Sequence, residues 1–341
     1  MSVYSWGSLQ RGGFDNSVEV VNRRAPAQAA EFRGTIEILL RDTFADSNPE
    51  SAWTTSLLTS TGAPIEFSFS TLSRDLRYTV EVGGPRTPPC ERLARIDALP
   101  ASLFWRNAVT EVTRSLRCLQ GAGTLQWGAW LGLRHPPDGG PAGCKIYAEV
   151  PPDNGAAAAG IVNRYLLSPP SLSGESPALT IVAMSPDSER SEFYFDLTAR
   201  TLTTGGLERL LGHVGLESRR PDLEDLIRSC DLAGPGEPSL PAARYGISYS
   251  TLPGAVDPIV SIFARASELL GGDGFVRHQM MAAAGRRGWT LGLYPFITEP
   301  IARRFFRARY HNMISFTAGE SSVAGLQVCL SPPPLGAGDD E

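Results

Sequence analysis

Hydrophobic and polar positions alternate with period two in five pairs of short stretches, and turn-forming residues separate the two arms of each pair. The pairs are roughly 64–70 with 76–83, 125–134 with 144–151, 178–184 with 191–197, 244–250 with 258–264, and 311–318 with 324–331. Five β-hairpins are the expectation. In PIEFSFS, Ile65, Phe67 and Phe69 share one face and Glu66, Ser68 and Ser70 the other. In LRYTVEV, Arg77, Thr79 and Glu81 oppose Leu76, Tyr78, Val80 and Val82. CKIYAEV sets Lys145, Tyr147 and Glu149 against Ile146, Ala148 and Val150, and SEFYFD sets Glu192, Tyr194 and Asp196 against Phe193 and Phe195.

Between hairpins the period becomes helical. Trp105, Val109, Val112 and Leu116 fall on one face, as do Leu207, Leu210, Leu211 and Val214, and then Leu223, Leu226, Ile227 and Cys230. Helices are also expected before the first hairpin, at about 28–42 and 50–60, and before the last, at about 274–286 and 297–309. The hairpins begin about 61, 53, 66 and 67 residues apart, the spacing of a repeated unit of one or two helices followed by a hairpin. A chain of 341 residues suggests two domains by length, but one pattern runs from end to end. Ten antiparallel strands leave two exposed edges in an open sheet, and closure into a barrel removes them. The expected fold is therefore α+β: a ten-stranded antiparallel β-barrel ringed by helices, one domain over residues 1–331, with 332–341 as a flexible tail. An open sheet with helices on one face and water on the other satisfies the same alternation.

If helices cover the outside, the apolar strand faces meet them and the polar faces line a lumen. A barrel of this size is wider than the eight-stranded kind that side chains just fill, so its lumen has room for a ligand. The balance of 31 basic and 36 acidic residues, net −5, disfavours nucleic-acid and anionic-membrane partners. No apolar run approaches the ~20 residues of a membrane span, and MSVYSWGSLQRGG lacks the features of a signal peptide. A cytoplasmic protein is expected. Five widely spaced cysteines with no CxxC pair argue against a disulfide framework or a zinc site. The four histidines form no HExxH-like cluster, and nucleophile-elbow, phosphate-loop and dinucleotide motifs are absent.

Of the 31 basic residues, 30 are arginine, a bias expected of a GC-rich genome; the single lysine, Lys145, lies in the strand-like GCKIYAEVP. Arg77, Lys145 and Arg190 belong to inward faces, with Arg244 of ARYGISYS a further candidate. Cations converging in a cavity need an anion to offset their desolvation, and phosphate or diphosphate fits. The body of the chain has no DDxxD motif, so direct neutralisation by Arg and Lys would replace a carboxylate–magnesium bridge. For most of the arginines a surface ion pair is the plainer explanation. Tyr147 and Tyr194 are placed either to shield a carbocation or simply to pack. Glu66 is placed either to pair with Arg77 across its hairpin or to accept a substrate N–H and then a proton.

With these residues in place, the chain resembles the aromatic prenyltransferases of the ABBA barrel fold, nearest the dimethylallyltryptophan synthase type that prenylates indoles, over about residues 50–331. GAPIEFS resembles the stretch whose glutamate holds the indole N–H, which implies that role for Glu66. LRYTVEV and CKIYAEVP resemble diphosphate-binding stretches, implying Arg77 and Lys145 as ligands and Tyr147 as a cation shield. In RSEFYF, Arg190 and Tyr194 match an Arg-x-Lys-x-Tyr pattern, but Glu192 stands where that pattern has lysine. Phe263, Met313 and Cys329 align with later shielding tyrosines, implying a prenyl and acceptor pocket with room for a donor chain longer than dimethylallyl.

The implied activity is transfer of a prenyl group from an allylic diphosphate to a carbon of an indole-containing small molecule, by electrophilic aromatic substitution in bacterial specialised metabolism. No cofactor is required on this reading, no metal ligand is assigned, and the protein is a monomer or homodimer. The alternatives are Mg2+-assisted prenylation of a phenolic, phenazine-type or carbazole-type acceptor, with Glu192 recruiting the ion, and a non-catalytic barrel that binds a hydrophobic anion.

Overall fold

Period-two alternation with β-branched and aromatic enrichment builds each of the five expected hairpins. They are β1 (Ile65–Ser70) with β2 (Ser73–Val80), β3 (Ala129–His135) with β4 (Gly143–Glu149), β5 (Ala178–Met184) with β6 (Ser191–Asp196), β7 (Tyr245–Leu252) with β8 (Val256–Arg265), and β9 (His311–Gly319) with β10 (Gly325–Leu330). The structure, a computed structural model, describes residues 9–45, 54–100, 103, 106–171, 177–197, 201–232, 240–304, 307, 309–320 and 323–333. Each strand pairs antiparallel with its neighbours, and β1 pairs with β10 through Phe67 opposite Leu330 and Phe69 opposite Val328. The sheet is thus a closed ten-stranded barrel, and the open-sheet alternative falls.

The apolar faces point outward. Ile65, Phe67, Ile146, Phe193, Ile262 and Phe316 are all buried, each such side chain contributing ~1.5–3 kcal/mol. They are covered by helices that include Leu9–Arg24, Pro26–Leu39, Arg106–Gln120, Gly155–Leu166, Thr204–Gly212, Arg220–Ser229 and Asp273–Arg287. Phe32 of Pro26–Leu39 lies 6.1 Å from the ring of Phe67 and 5.0 Å from that of Tyr78. The predicted stripes Leu207, Leu210, Leu211 and Leu223, Leu226, Ile227, Cys230 are buried, with Val214 packed at the edge of the core. Val109 and Leu116 are buried and Val112 packs beside them, while Trp105 lies outside the described residues.

Two expected helices are not there. Residues 54–63 run as turns and bends, and 50–53 lie outside the described residues. Local side-chain bonds replace the helical ladder in this Ser/Thr-rich stretch: Ser56 Oγ accepts from the backbone N–H of Leu58 at 3.1 Å, and Thr59 Oγ1 donates to the Ala63 carbonyl at 2.9 Å. The loop turns back on itself at Gly62, φ +79°, where a Cβ would lie 2.2 Å from the Thr54 carbonyl. Across 297–309 there are only the short turns Tyr294–Ile297 and Glu299–Ile301, each with a proline in its first turn; residues 305, 306 and 308 lie outside the described residues. Two of the longer observed helices, Leu9–Arg24 and Gly155–Leu166, have no counterpart in the sequence expectation, nor do the short Arg92–Asp97 and Ala266–Leu269; paired glycines in the first and the GAAAAG opening of the second dilute the apolar period. Of the expected tail, residues 334–341 lie outside the described residues. No described helix is long and apolar enough to cross a membrane.

The barrel has two unlike ends. Helical connections meet the strands at the end holding Ile65, Glu149, Asp196 and His311, whereas the short hairpin turns gather at the other. Two tyrosine–histidine pairs brace the wall, the first joining β2 to β3 and the second joining helical segments to β9. Tyr78 Oη meets His135 Nε2 at 2.9 Å, and Tyr294 Oη meets His311 Nε2 at 2.9 Å, with His311 Nδ1 2.7 Å from the buried Asp273 carboxylate.

Candidate active site

With the apolar faces turned out, strand alternation sends the polar positions into the lumen. On β4 these are Lys145 and Tyr147, and on β6 Glu192 and Tyr194. Lys145 Nζ donates to Glu192 Oε2 at 2.7 Å, and Ser248 Oγ on β7 donates to Glu192 Oε1 at 2.6 Å. Burial works to push the Lys145 pKa down, but the Glu192 carboxylate and the Tyr147 phenol together offset it and hold the ammonium above the ordinary lysine value. Burial works to raise Glu192, yet Lys145 and the hydrogen bonds from Ser248 and Tyr194 bring it below the usual carboxylate range.

Aromatic rings cross this part of the lumen. The Tyr147 and Tyr194 centroids are 6.1 Å apart, and Tyr194 is 5.9 Å from Phe263 on β8. Two glycines make room for them. A Cβ on Gly132 would lie 2.8 Å from the Tyr147 ring, and one on Gly246 would lie 2.3 Å from Phe263. Burial raises both tyrosine pKa values, so the hydroxyls stay neutral.

Glu66 occupies a different quarter. Its carboxylate accepts from Asn312 Nδ2 at 2.8 Å and is in hydrogen-bond contact with the Cys329 thiol. Burial drives its pKa up, these neutral partners only partly oppose the rise, and it reaches about 7. The pairing with Arg77 that the sequence left open does not form: Glu66 stands opposite Thr79, and Arg77 opposite Ser68. Arg77 reaches Asp75 at 3.6 Å, and its Nε–H is buried with no partner. Burial raises the Cys329 thiol, the Glu66 charge adds to this, and Ser68 Oγ lies 3.4 Å from its sulfur. The Tyr147 hydroxyl is subject to the fields of Lys145, Glu192 and Cys329. Tyr147 thus links the two quarters.

Not every expected residue converges here. Arg190 sits at the hairpin-turn end, where it donates to the carbonyls of Ser250 and Asp257 at 3.0 and 2.9 Å and pairs with the Asp257 carboxylate. It clasps the β7–β8 turn. Arg244 sits at the opposite end, its side chain 72% exposed and paired with Asp196. Met313 joins the lumen face of β9 near the helical end, level with Arg265. The structure therefore brings together Glu66, Arg77, Lys145, Tyr147, Tyr194, Phe263, Met313 and Cys329, with Arg190 at one rim, and leaves Arg244 outside.

Three residues of this constellation were missed from the sequence. Ser248 was readable, since alternation in YGISYSTL puts Gly246, Ser248 and Ser250 on one face. Trp130 was also readable, being on the Gly132 face and opposite Tyr147; it stacks on Trp127 at 3.6 Å, and its indole N–H is buried without a partner. Asn312 was not readable, because a register shift near Leu330 changes the facing of β9 at its start. As for a divalent ion, both Glu192 oxygens are engaged, and no group of three or more His, Cys, Asp or Glu converges among the described residues. The described residues thus offer no all-protein cage for Mg2+, whereas a site shared between one carboxylate and a substrate diphosphate needs no such cluster.

Among solved structures, the chain is similar to 6-dimethylallyltryptophan synthase from Micromonospora olivasterospora in complex with DMASPP and Trp, at 20% identity and TM-score 0.74, over 96% of this chain and 98% of that one. It is similar to the prenyltransferase PriB at 16% identity and TM-score 0.74, covering 96% and 99%. It is also similar to 5-dimethylallyltryptophan synthase from Streptomyces coelicolor at 16% identity and TM-score 0.70, covering 95% and 98%. No protein-family model and no curated protein sequence matches the chain. At these identities the likeness establishes the fold, which is the ABBA or PT barrel.

Proposed function

We propose that this protein is an aromatic prenyltransferase that moves an allylic group from a diphosphate to a carbon of an indole-containing small molecule. The observation that carries this reading is the arrangement of one lumen: a carboxyl poised near pH 7 at Glu66, the cations Arg77 and Lys145, and the rings of Tyr147, Tyr194 and Phe263. The likeness to solved structures that hold DMASPP and tryptophan supports the same donor and acceptor classes.

In this reading Arg77 and Lys145 hold the diphosphate, and Arg190 borders it from the rim. The allylic C–O bond breaks and its electron pair leaves with the diphosphate. A preorganised donor to charge that develops in this way is worth about 3–4 kcal/mol. The tyrosine faces attract the allyl cation by ~0.5–2 kcal/mol and keep water away. Ionised Glu66 accepts the acceptor's N–H and holds the ring within attack distance. A ring carbon supplies the electron pair of the new C–C bond, and loss of the ring proton restores aromaticity. A carboxyl with pKa near 7 is suited to receive that proton at neutral pH. Phe263, Met313 and Cys329 bound the pocket, and the small Met and Cys favour a donor longer than dimethylallyl. Residues 1–331 form one catalytic domain in this reading, in a bacterial specialised-metabolite pathway.

The test is product formation by mass spectrometry, with dimethylallyl, geranyl and farnesyl diphosphates against tryptophan, other indoles, carbazoles and phenols, each with and without EDTA. A prenylated indole formed in EDTA is the expected result. Product that requires Mg2+ would transfer the reading to the metal-assisted alternative. Absence of product together with absence of diphosphate binding by calorimetry would overturn it.

A further inference from the structure

Each of the four cations expected to hold a diphosphate already has a carboxylate: Arg77 with Asp75 at 3.6 Å, Lys145 with Glu192 at 2.7 Å, Arg190 with Asp257, and Arg244 with Asp196. The pairs are not equivalent. Those of Arg190 and Arg244 lie at the rims, and the first fastens a turn. Arg77 holds its acid loosely and keeps a buried N–H to offer. Only the Lys145–Glu192 pair stands inside the lumen with its carboxylate 12% exposed and clamped by a further donor, Ser248.

We propose, building on the prenyltransferase reading, that Glu192 is an internal counter-ion that competes with the donor's diphosphate for Lys145 and so sets the affinity of the site for its donor. A phosphate oxygen that takes the ammonium must displace a carboxylate held at 2.7 Å. Once displaced, that carboxylate lies beside a polyanion in a poorly solvated lumen. The surrounding groups are Tyr147 and Lys145 from β4, Tyr194 from β6, Ser248 from β7 and the charge of Arg77 from β2. None of these but Lys145 and Arg77 offsets a second anion. The pairing leaves the partly buried Lys145 ammonium compensated, and ligands too weakly charged to displace Glu192 are rejected.

The experiment is calorimetric titration of inorganic pyrophosphate, in EDTA, into the full chain and its Glu192→Gln, Glu192→Asp and Lys145→Gln/Glu192→Gln variants, with Lys145→Gln as the reference for the double change. Gln keeps the shape and the acceptor for Ser248 while removing the charge. The expected result is at least tenfold tighter pyrophosphate binding in Glu192→Gln and near-unchanged binding in Glu192→Asp. In the Lys145→Gln background the gain should shrink below threefold, because a buried Glu192 without its partner is neutralised by a proton. The donor KM should fall in Glu192→Gln in parallel. Pyrophosphate binding to the unsubstituted protein that Glu192→Gln leaves equal or weaker overturns the inference and leaves the prenyltransferase reading standing. Failure of every variant to bind pyrophosphate overturns that reading, and this inference with it.

Discussion

Glu66 on β1 and Glu192 on β6 both project into the same lumen, and burial works to raise both carboxyl pKa values. Their neighbours separate them. Glu66 has only an amide and a thiol against it and rises to about 7. Glu192 has an ammonium, a serine hydroxyl and a phenol, and falls below the ordinary carboxylate range. Two identical side chains in one cavity are thereby assigned different work, one a group able to exchange a proton near neutrality and the other a fixed negative charge. Burial supplies the leverage; the partner supplies the sign.

The largest effect is expected where that contrast is broken outright. Lys145→Met leaves Glu192 without its counter-ion, and the loss of stability should be about 3–5 kcal/mol in a denaturant melt, with turnover down by about 10³-fold. Adding Glu192→Gln to it should restore most of the stability and none of the turnover, which separates the two roles of the lysine.

Next is Glu66. On the proposed prenyltransferase reading, Glu66→Ala should lower turnover of indole acceptors by about 10²-fold, measured as initial rates. The pH profile of kcat/KM should show an acidic limb near 7, since protonation below that value removes the acceptor for the N–H. Glu66→Gln should abolish the limb. Asn312→Leu should move it to higher pH, because the Asn312 hydrogen bond is the larger of the two that oppose the rise. The two glutamates also tilt stability in opposite senses. Glu66, raised from 4.5, binds its proton more tightly when folded, so its contribution falls as pH rises from 4.5 to about 7. Glu192, depressed, contributes above its unfolded pKa and loses that contribution as pH drops through the folded value.

A smaller effect is expected from the wall between them. Gly246→Ala puts a methyl 2.3 Å from the Phe263 ring, so a loss of about 1–3 kcal/mol in thermal or denaturant unfolding is expected as the ring is displaced. The smallest belongs to Arg244. Its pair with Asp196 is exposed, so Arg244→Ala should change stability by less than about 1 kcal/mol and leave turnover within about twofold. A large loss there would bring the rim into the site and undo the division between lumen and edge.

Much of this contrast was legible in the residues. Alternation in PIEFSFS, LRYTVEV, CKIYAEV and SEFYFD already set Glu66, Arg77, Lys145, Tyr147, Glu192 and Tyr194 on one face. Ser248 and Trp130 obey the same rule and were there to be found. So was the separation of Arg190 from Arg244: they precede consecutive antiparallel strands, and must lie at opposite ends. The loop at 54–63 and the facing of Asn312 were different in kind. The first depends on serine and threonine side chains bonding to nearby backbone, and the second on a register shift between β9 and β10.

What the sequence determined by itself is the local part: five hairpins, the helices whose apolar stripes cover them, and which side chains share a strand face. These follow from spacings of two and 3.6 residues, which a short stretch of chain expresses alone. Closure of β1 onto β10 and the presence of an ammonium beside one buried glutamate but not the other were decided by the tertiary structure. Those depend on contacts between residues far apart in the chain, and the pKa of a buried carboxyl answers to the charge a few ångströms away, which no local pattern encodes.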